Sequence, residues 1–159
     1  MIGGGRDRGA ATSWDPNGPP PPGPIGGYDW DSTRTLRWGT NQIEDIPATP
    51  VLDTFAIGAY FDAGATPHEA MAADGDSGGA LFVENGGTWE LAGILFAIAG
   101  YSGQPEDTAL YGNATYAADL AFYRDDILDV VSLPEPTGAL PLGILLVARL
   151  ARTRRRACG

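Results

Sequence analysis

The sequence predicts a mostly β fold that ends in a single helix. The 23 glycines and 13 prolines among the 159 residues interrupt the chain too often for long helices. Between these interruptions lie short runs that are rich in apolar, aromatic and β-branched residues, which is the composition of strands. The tripeptide Asn85-Gly86-Gly87 separates two such runs, residues 80–84 and 88–99, and predicts a β-hairpin.

Three more strands and the helix follow from the same reasoning. Residues 35–43, 51–61 and 108–116 each combine aromatic and β-branched side chains between turn-forming residues. The run 91–99 inside the hairpin is apolar on both faces, so we expect it to be deeply buried. Residues 118–131 repeat apolar side chains at helical spacing and predict the helix.

The composition divides the chain into three segments. Residues 1–32 include four consecutive prolines at 19–22 and begin without any apolar periodicity, which predicts a disordered leader. Residues 33–132 hold the predicted strands and helix and form the expected folded domain, and residues 133–159 form a tail of different composition. No signal peptide is visible, because the start of the chain lacks an apolar stretch.

The charge balance and the rare residue types exclude several classes of function. The formal net charge is −10, and the chain has no lysine. All 20 acidic residues lie in residues 1–135 with five of the ten arginines, so that segment carries −15 and the remainder +5. An acidic folded part without a basic patch argues against nucleic acid as a partner. One cysteine and one histidine give no recognised ligand spacing, so we expect no disulfide framework, metal site or cofactor.

The most informative stretch is the loop Gly75-Asp76-Ser77-Gly78-Gly79, which leads into the apolar run of the hairpin. Glycines reach the positive φ angles that turn several backbone N–H groups toward one point. The N–H groups of Gly75 and Ser77 are therefore the candidate donors to an oxyanion, and the Ser77 hydroxyl is the candidate nucleophile of an acyl transfer. The alternative interpretation is an ordinary turn of Gly, Asp and Ser between two strands.

This loop resembles the nucleophile loop of the chymotrypsin/trypsin-like serine proteases, which reads Gly-Asp-Ser-Gly-Gly. Residues 91–94, Leu-Ala-Gly-Ile, resemble the strand that flanks the substrate cleft of that family. Residues 110–117 and the helix after them are similar to its last strand and C-terminal helix. The resemblance covers about residues 36–131. It implies the six-stranded β-barrel that forms the second half of such a protease, acting on a peptide or protein substrate.

The resemblance also implies roles for individual residues. Asp76 would shape the oxyanion loop through a structural ion pair and would take no part in proton transfer. Met71 would lie at the base of the primary specificity pocket, where an apolar side chain favours apolar or uncharged substrate residues. Phe96 and Ala97 would line the wall of the cleft.

The general base is the missing part of this assignment. A serine hydroxyl needs a base to accept its proton and a carboxylate to hold that base. The family takes both from its first barrel, whereas the only histidine here, His68, lacks the family's surrounding pattern. We therefore expect a serine endopeptidase represented by an incomplete, inactive C-terminal half, with an apolar face near Trp38, Phe55 and Tyr60. The alternative is a non-catalytic surface or binding module.

The tail carries a second resemblance. Pro134-Glu135-Pro136 precedes an apolar run at residues 137–148, and five arginines follow that run. This order resembles the PEP-CTERM sorting signal of exopolysaccharide-producing Gram-negative bacteria. It implies export to the cell envelope or surface, membrane attachment through a short hydrophobic tail helix, and cleavage near Pro134-Glu135-Pro136 by a sorting enzyme. The run is shorter than the about 20 residues that span a bilayer as a helix, and an ordinary amphipathic end is the alternative.

Overall fold

A computed structural model describes residues 1–16, 23–47 and 49–132. In this part the protein is mostly β, with two antiparallel sheets of six and three strands followed by one short helix. The predicted mostly β class is therefore confirmed. In chain order the elements are β1 (Ile2–Gly3), β2 (Arg6–Trp14), β3 (Ile25–Arg34), β4 (Arg37–Trp38), β5 (Ala56–Tyr60), β6 (Ala80–Asn85), β7 (Thr88–Ala99), β8 (Thr108–Leu110), β9 (Ala114–Asp119) and α1 (Arg124–Val131).

The six-stranded sheet is built around the predicted hairpin, which β6 and β7 form. Gly86 and Gly87 in its turn have φ angles of 58° and 87°, the left-handed conformations that a two-residue hairpin turn requires. β7 pairs on its other side with β9, and β9 pairs with β5. The strand order across the sheet is β4-β1-β6-β7-β9-β5.

This sheet does not close into the predicted six-stranded barrel within the described residues. Its outermost strands are β4 and β5, and β4 is only two residues long. The chain between them forms single bridges instead of a ladder, since Thr40 pairs with Glu69 and Asp45 pairs with Gly58. The strand predicted over residues 35–43 is thereby shortened to Arg37–Trp38, because the following backbone bonds to other partners.

The N-terminal segment differs from the expected disordered leader. β1, β2 and all but the last two residues of β3 lie in it, so the ordered part of the chain begins at its start and not near residue 33. β2 pairs with β3, and β8 adds to the far side of β3 to complete the second sheet. The glycines here serve close packing of backbones. A Cβ on Gly27 would overlap the carbonyl oxygen of Ala109, and one on Gly9 would crowd that of Asp29.

The core is formed by side chains that project from neighbouring strands of the six-stranded sheet. Leu81 of β6, Leu95 of β7 and Ala117 of β9 form one buried cluster with Ile57 and Ala72. Alternation along each strand places these side chains on one face of the sheet.

The expectation that residues 91–99 are buried on both faces is wrong. Leu91 and Ile98 are 45% and 39% exposed, while Leu95 is 3% exposed. Only alternate positions of β7 reach the core, so its other apolar side chains stay partly in contact with solvent.

Residues 108–116 form two strands in different sheets instead of the single strand that was predicted. β8 belongs to the three-stranded sheet and β9 to the six-stranded sheet. Between them Gly112 has a φ of 91°, and the Asn113 side chain accepts a hydrogen bond from the Leu110 N–H at 2.9 Å. This glycine and asparagine turn redirects the chain from one sheet to the other.

The chain divides into a β unit, Met1–Tyr123, and a second unit that begins at Arg124. The helix predicted over residues 118–131 is shortened to α1, because residues 118 and 119 end β9. The first turn of α1 carries Asp125 and Asp126, as suits the positive end of a helix dipole. The predicted tail, residues 133–159 with its apolar helix, lies outside the described residues. In the described ranges no helix has the length and apolar character needed to span a membrane.

Candidate active site

The loop that carries Ser77 is held by backbone hydrogen bonds on two sides. On one side, the N–H of Arg6 at the start of β2 donates to the carbonyl oxygen of Asp74 at 3.0 Å. On the other side, the Gly78 N–H donates to the Leu95 carbonyl oxygen at 2.8 Å, and the Leu95 N–H donates to the Gly79 carbonyl oxygen at 2.8 Å. The loop is therefore fixed between β2 and β7.

The chain entering the loop is anchored in the core. The N–H of Ala72 donates to Oγ1 of Thr115 in β9 at 2.9 Å, and Thr115 is 1% exposed. A buried N–H with a side-chain partner is expensive to expose, so this bond fixes where the loop starts. Sequence reasoning missed Thr115, because a contact across 43 residues leaves no local signal.

Ser77 lies exposed at the tip of the loop. Gly75 and Gly78 on either side have φ angles of 94° and 83°, which only glycine adopts readily. Within the described ranges, neither the Ser77 hydroxyl nor the N–H groups of Gly75 and Ser77 has a hydrogen-bond partner. The loop thus offers one hydroxyl and two uncommitted N–H donors to an incoming group.

Asp76 points into the N-terminal segment. Its Oδ1 accepts a hydrogen bond from the Gly5 N–H at 2.6 Å, and its Oδ2 accepts one from the Ala73 N–H at 2.8 Å. A Cβ on Gly3 or on Gly5 would overlap the Asp76 carboxyl group. The carboxylate is therefore enclosed by backbone. Its partners are N–H groups, and among the described residues it forms no ion pair, unlike the ion pair that the resemblance implies. Sequence reasoning missed Gly3 and Gly5, and the glycine run at 3–5 was the available signal.

A cation lies next to the candidate oxyanion donors. The Arg34 guanidinium is so close to Gly75 that a Cβ there would overlap Nη1. Its Nη2 pairs with Oδ2 of Asp74 at 3.4 Å, and the Arg34 side chain is 51% exposed. Sequence reasoning missed Arg34, because it reaches the loop from the end of β3 and is distant from it along the chain.

A cavity of about 560 Å³ adjoins the loop on the side of Asp76. Met71 lines it together with Ala73. Phe96 and Ala97 are not part of its wall; Phe96 lies at an irregularity in the pairing of β7 with β9. Of the three residues with an implied role in specificity, the structure thus brings only Met71 to this cavity.

His68 lines the same cavity but does not contact the nucleophile. Its ring makes an edge contact with the Trp38 ring, with 4.8 Å between centroids. No hydrogen bond joins the His68 side chain to Ser77 or to a carboxylate in the described part of the chain. In this conformation the candidate base, His68, is therefore not hydrogen-bonded to the candidate nucleophile, Ser77.

Two tyrosines of the cavity form a hydrogen bond with each other. The Tyr111 hydroxyl donates to the Tyr28 hydroxyl at 3.3 Å. This bond, together with partial burial, raises the pKa of Tyr111, and the nearby Arg8 opposes the rise. A tyrosine with a raised pKa stays protonated at neutral pH, so Tyr111 does not supply a base there.

Neither a metal site nor a similarity to known proteins identifies a function for this chain. Among residues 1–16, 23–47 and 49–132, no three His, Cys, Asp or Glu side chains cluster so that they could hold a metal ion. No family model, curated protein sequence or solved structure matches this chain significantly. The candidate function therefore depends on the geometry of the loop itself.

Proposed function

We propose that Ser77 is the nucleophile of a serine-type acyl transfer, and that the protein is an endopeptidase module of the trypsin-like class. The observation that carries this proposal is the exposed Ser77 hydroxyl next to two N–H donors without partners. Gly75 and Ser77 are central residues of two consecutive turns, which the Asp76 N–H to Ala73 and the Gly79 N–H to Asp76 hydrogen bonds close. Their N–H groups therefore remain available to a ligand.

The chemistry follows from the arrangement of these groups. The Ser77 oxygen attacks the carbonyl carbon of a peptide bond, and the oxyanion accepts hydrogen bonds from the N–H groups of Gly75 and Ser77. The serine proton passes to a base and then to the leaving amine, and water afterwards hydrolyses the acyl-serine ester. Each oxyanion donor is worth about 3 kcal/mol of barrier in enzymes of this kind.

Because His68 is not hydrogen-bonded to Ser77, this conformation has no base among the described residues that could accept the serine proton, and this limits its rate of catalysis. An oxyanion hole without a working base and carboxylate retains an acceleration of about 10³–10⁴ over water. We propose that the chain alone is an inactive or nearly inactive protease half, and that full activity needs a histidine supplied by another polypeptide segment.

For the finer fold assignment, we propose that the six-stranded sheet is an opened relative of the second barrel of trypsin-like proteases. Its antiparallel pairing and the position of the loop directly before β6 support this assignment. The short β4 and the single bridges that follow it account for the open side.

The second candidate is a binding module that keeps the loop without catalysis. The observation in its favour is that no hydrogen bond joins His68 to Ser77 in the described residues. Such a module would use the same cavity to bind a polypeptide. Its Ser77 hydroxyl would react with a fluorophosphonate no faster than an ordinary serine.

Labelling with a fluorophosphonate distinguishes the two candidates. Ser102 is a matched control, since it is also exposed and also precedes a glycine at positive φ, Gly103 at 80°. We expect slow labelling that is abolished in Ser77→Ala and unchanged in Ser102→Ala, measured by intact mass and peptide mapping. Labelling that persists in Ser77→Ala, or none after prolonged incubation, would contradict the nucleophile assignment.

We further propose that residues 133–159 direct export and attach the protein to the cell envelope until a sorting enzyme removes them. The order of Pro134-Glu135-Pro136, apolar run and arginines supports this proposal. Arginines at the end of an apolar segment favour retention of that end on the cytoplasmic side.

A further inference from the structure

The cationic side chains of the β unit gather around one place. Residues 1–123 contain 16 acidic residues but only four arginines and one histidine. Arg6, Arg8 and Arg37 line the cavity beside the nucleophile loop together with His68, and Arg34 lies against Gly75 of that loop. A strongly acidic unit therefore has its arginines concentrated around this cavity and the adjoining loop.

Three of these arginines already have carboxylate partners, whereas Arg8 has none in the described part of the chain. The Arg8 guanidinium carbon lies 3.5 Å from the centroid of the Tyr28 ring. A guanidinium stacked on an aromatic ring keeps its N–H edge available for two parallel hydrogen bonds to a carboxylate. The paired arginines are Arg6 with Asp107, Arg34 with Asp74 and Arg37 with Asp7.

Two of the three acidic side chains of the cavity wall already accept hydrogen bonds from the protein. The Glu69 carboxylate accepts bonds from the N–H groups of Asp62 and Thr66 and from the Thr66 hydroxyl. Asp76 accepts the two backbone bonds described above. Asp62 is the remaining acidic residue of the wall, and its carboxylate accepts no hydrogen bond within the described ranges.

We propose that this cavity binds a glutamate or aspartate side chain of a polypeptide, with Arg8 as the anchor for its carboxylate. Arg8 is exposed, but its contact with the Tyr28 ring holds the guanidinium in place, so that less side-chain entropy is lost when it pairs with a carboxylate. A polypeptide fits better than a nucleic acid, because the surrounding unit is strongly acidic and would repel a phosphate backbone. The proposal deepens the proposed function, since it assigns acidic peptides as substrates. Only that assignment rests on the proposed function, because binding itself does not require Ser77 to be a nucleophile.

The test is a binding titration of the full chain with two pentapeptides, N-acetylated and C-amidated, with glutamate or glutamine at the centre of an alanine background. Trp30 and Trp38 line the cavity, so intrinsic tryptophan fluorescence reports binding. We expect the glutamate peptide to bind about tenfold more tightly than the glutamine peptide, and salt to reduce the difference. Arg8→Gln should abolish the difference, and Arg124→Gln, which changes an arginine outside the β unit, should leave it intact.

Two further variants make the outcome decisive. Asp62→Asn should strengthen binding of the glutamate peptide, which tests the cavity even if Arg8→Gln folds poorly. Ser77→Ala should bind as the wild type does, so that a failed labelling experiment at Ser77 and a failed binding experiment remain distinguishable. Equal affinity for both peptides, a preference that survives Arg8→Gln in a folded protein, or tighter Arg8-dependent binding of a single-stranded oligonucleotide would each overturn the proposal.

Discussion

At the scale of single residues, the loop depends on glycines that the sequence alone did not connect to it. The Gly-Asp-Ser-Gly-Gly string predicts Ser77 as the nucleophile and a supporting role for Asp76 in the loop. It could not predict that Gly3 and Gly5 enclose the Asp76 carboxyl group, because the contact spans 71 residues between Gly5 and Asp76. The composition of residues 1–32 predicted disorder, whereas the glycines of this segment allow neighbouring backbone and side-chain groups to approach closely.

Replacement of Gly5 by alanine tests this contact. The added Cβ would overlap the Asp76 carboxyl group, so we expect Gly5→Ala to lower the free energy of unfolding by about 1–3 kcal/mol in urea denaturation. Gly4→Ala is the matched control, since a Cβ there has nothing within 4 Å. Equal effects of the two substitutions would show that Asp76 does not occupy the space that Gly5 leaves.

Asp7 links the start of β2 to the chain around β4. Its carboxylate accepts hydrogen bonds from the Thr33 hydroxyl at 2.8 Å and the Thr35 N–H at 3.0 Å, and it pairs with Arg37. Partial desolvation raises the pKa of Asp7, but the bonds from Thr33 and Thr35 and the charge of Arg37 outweigh it, so that the pKa is lowered.

A lowered pKa means that Asp7 contributes stability above the ordinary carboxyl pKa of about 3.9, and that this contribution is lost as the pH falls through the folded-state pKa. We therefore expect Asp7→Asn to be less stable than the wild type at neutral pH, with the difference shrinking in strong acid. Urea denaturation between pH 2 and pH 7 measures it. A difference that stays constant across this range would contradict the role of the ionised carboxylate.

At the scale of elements, strands were easier to predict than their partners. The hairpin of β6 and β7 follows directly from Asn85-Gly86-Gly87, because this turn signal and its consequence are both local. The division of residues 108–116 between two sheets is decided by what β8 and β9 pair with, and pairing is a property of the tertiary fold. The Gly112-Asn113 dipeptide was the local signal that would have indicated the break.

The hairpin turn offers a test of the element itself. Gly86 has a φ of 58° and open space around a Cβ, so a substitution there changes only the backbone conformational energy. We expect Gly86→Ala to lower the free energy of unfolding by about 1 kcal/mol, and Gly86→Asn to cost distinctly less because asparagine adopts the left-handed conformation more readily. Thermal denaturation of both variants measures this. An alanine variant as stable as the asparagine variant would contradict the turn geometry.

At the scale of the whole molecule, the sequence predicted an apolar face, and the structure locates it in part. Trp38 is 63% exposed beside an apolar groove of about 690 Å³ that Trp89 also lines. Phe55 does not contribute to this groove, because its ring stacks on Phe122 with 4.0 Å between centroids. Exposure of side chains depends on the complete fold, so composition could indicate such a face but not its position.

The tail gives a prediction for the whole chain. If residues 133–159 are a sorting signal, expression in a host with the matching sorting enzyme should yield a surface product that ends near Pro134-Glu135-Pro136. Mass spectrometry of the mature protein measures its end. Recovery of the Arg154-Arg155-Arg156 end, in a host that removes other such tails, would contradict the sorting role.

The central claim is that the N–H groups of Gly75 and Ser77 form an oxyanion hole for chemistry at the Ser77 hydroxyl. A crystal structure of the protein after reaction with a fluorophosphonate tests this most directly. We expect the phosphorus bonded to Ser77 Oγ, with one phosphonyl oxygen about 2.7–3.1 Å from both nitrogens. An adduct on another side chain, or a phosphonyl oxygen directed into solvent away from both N–H groups, would contradict the claim.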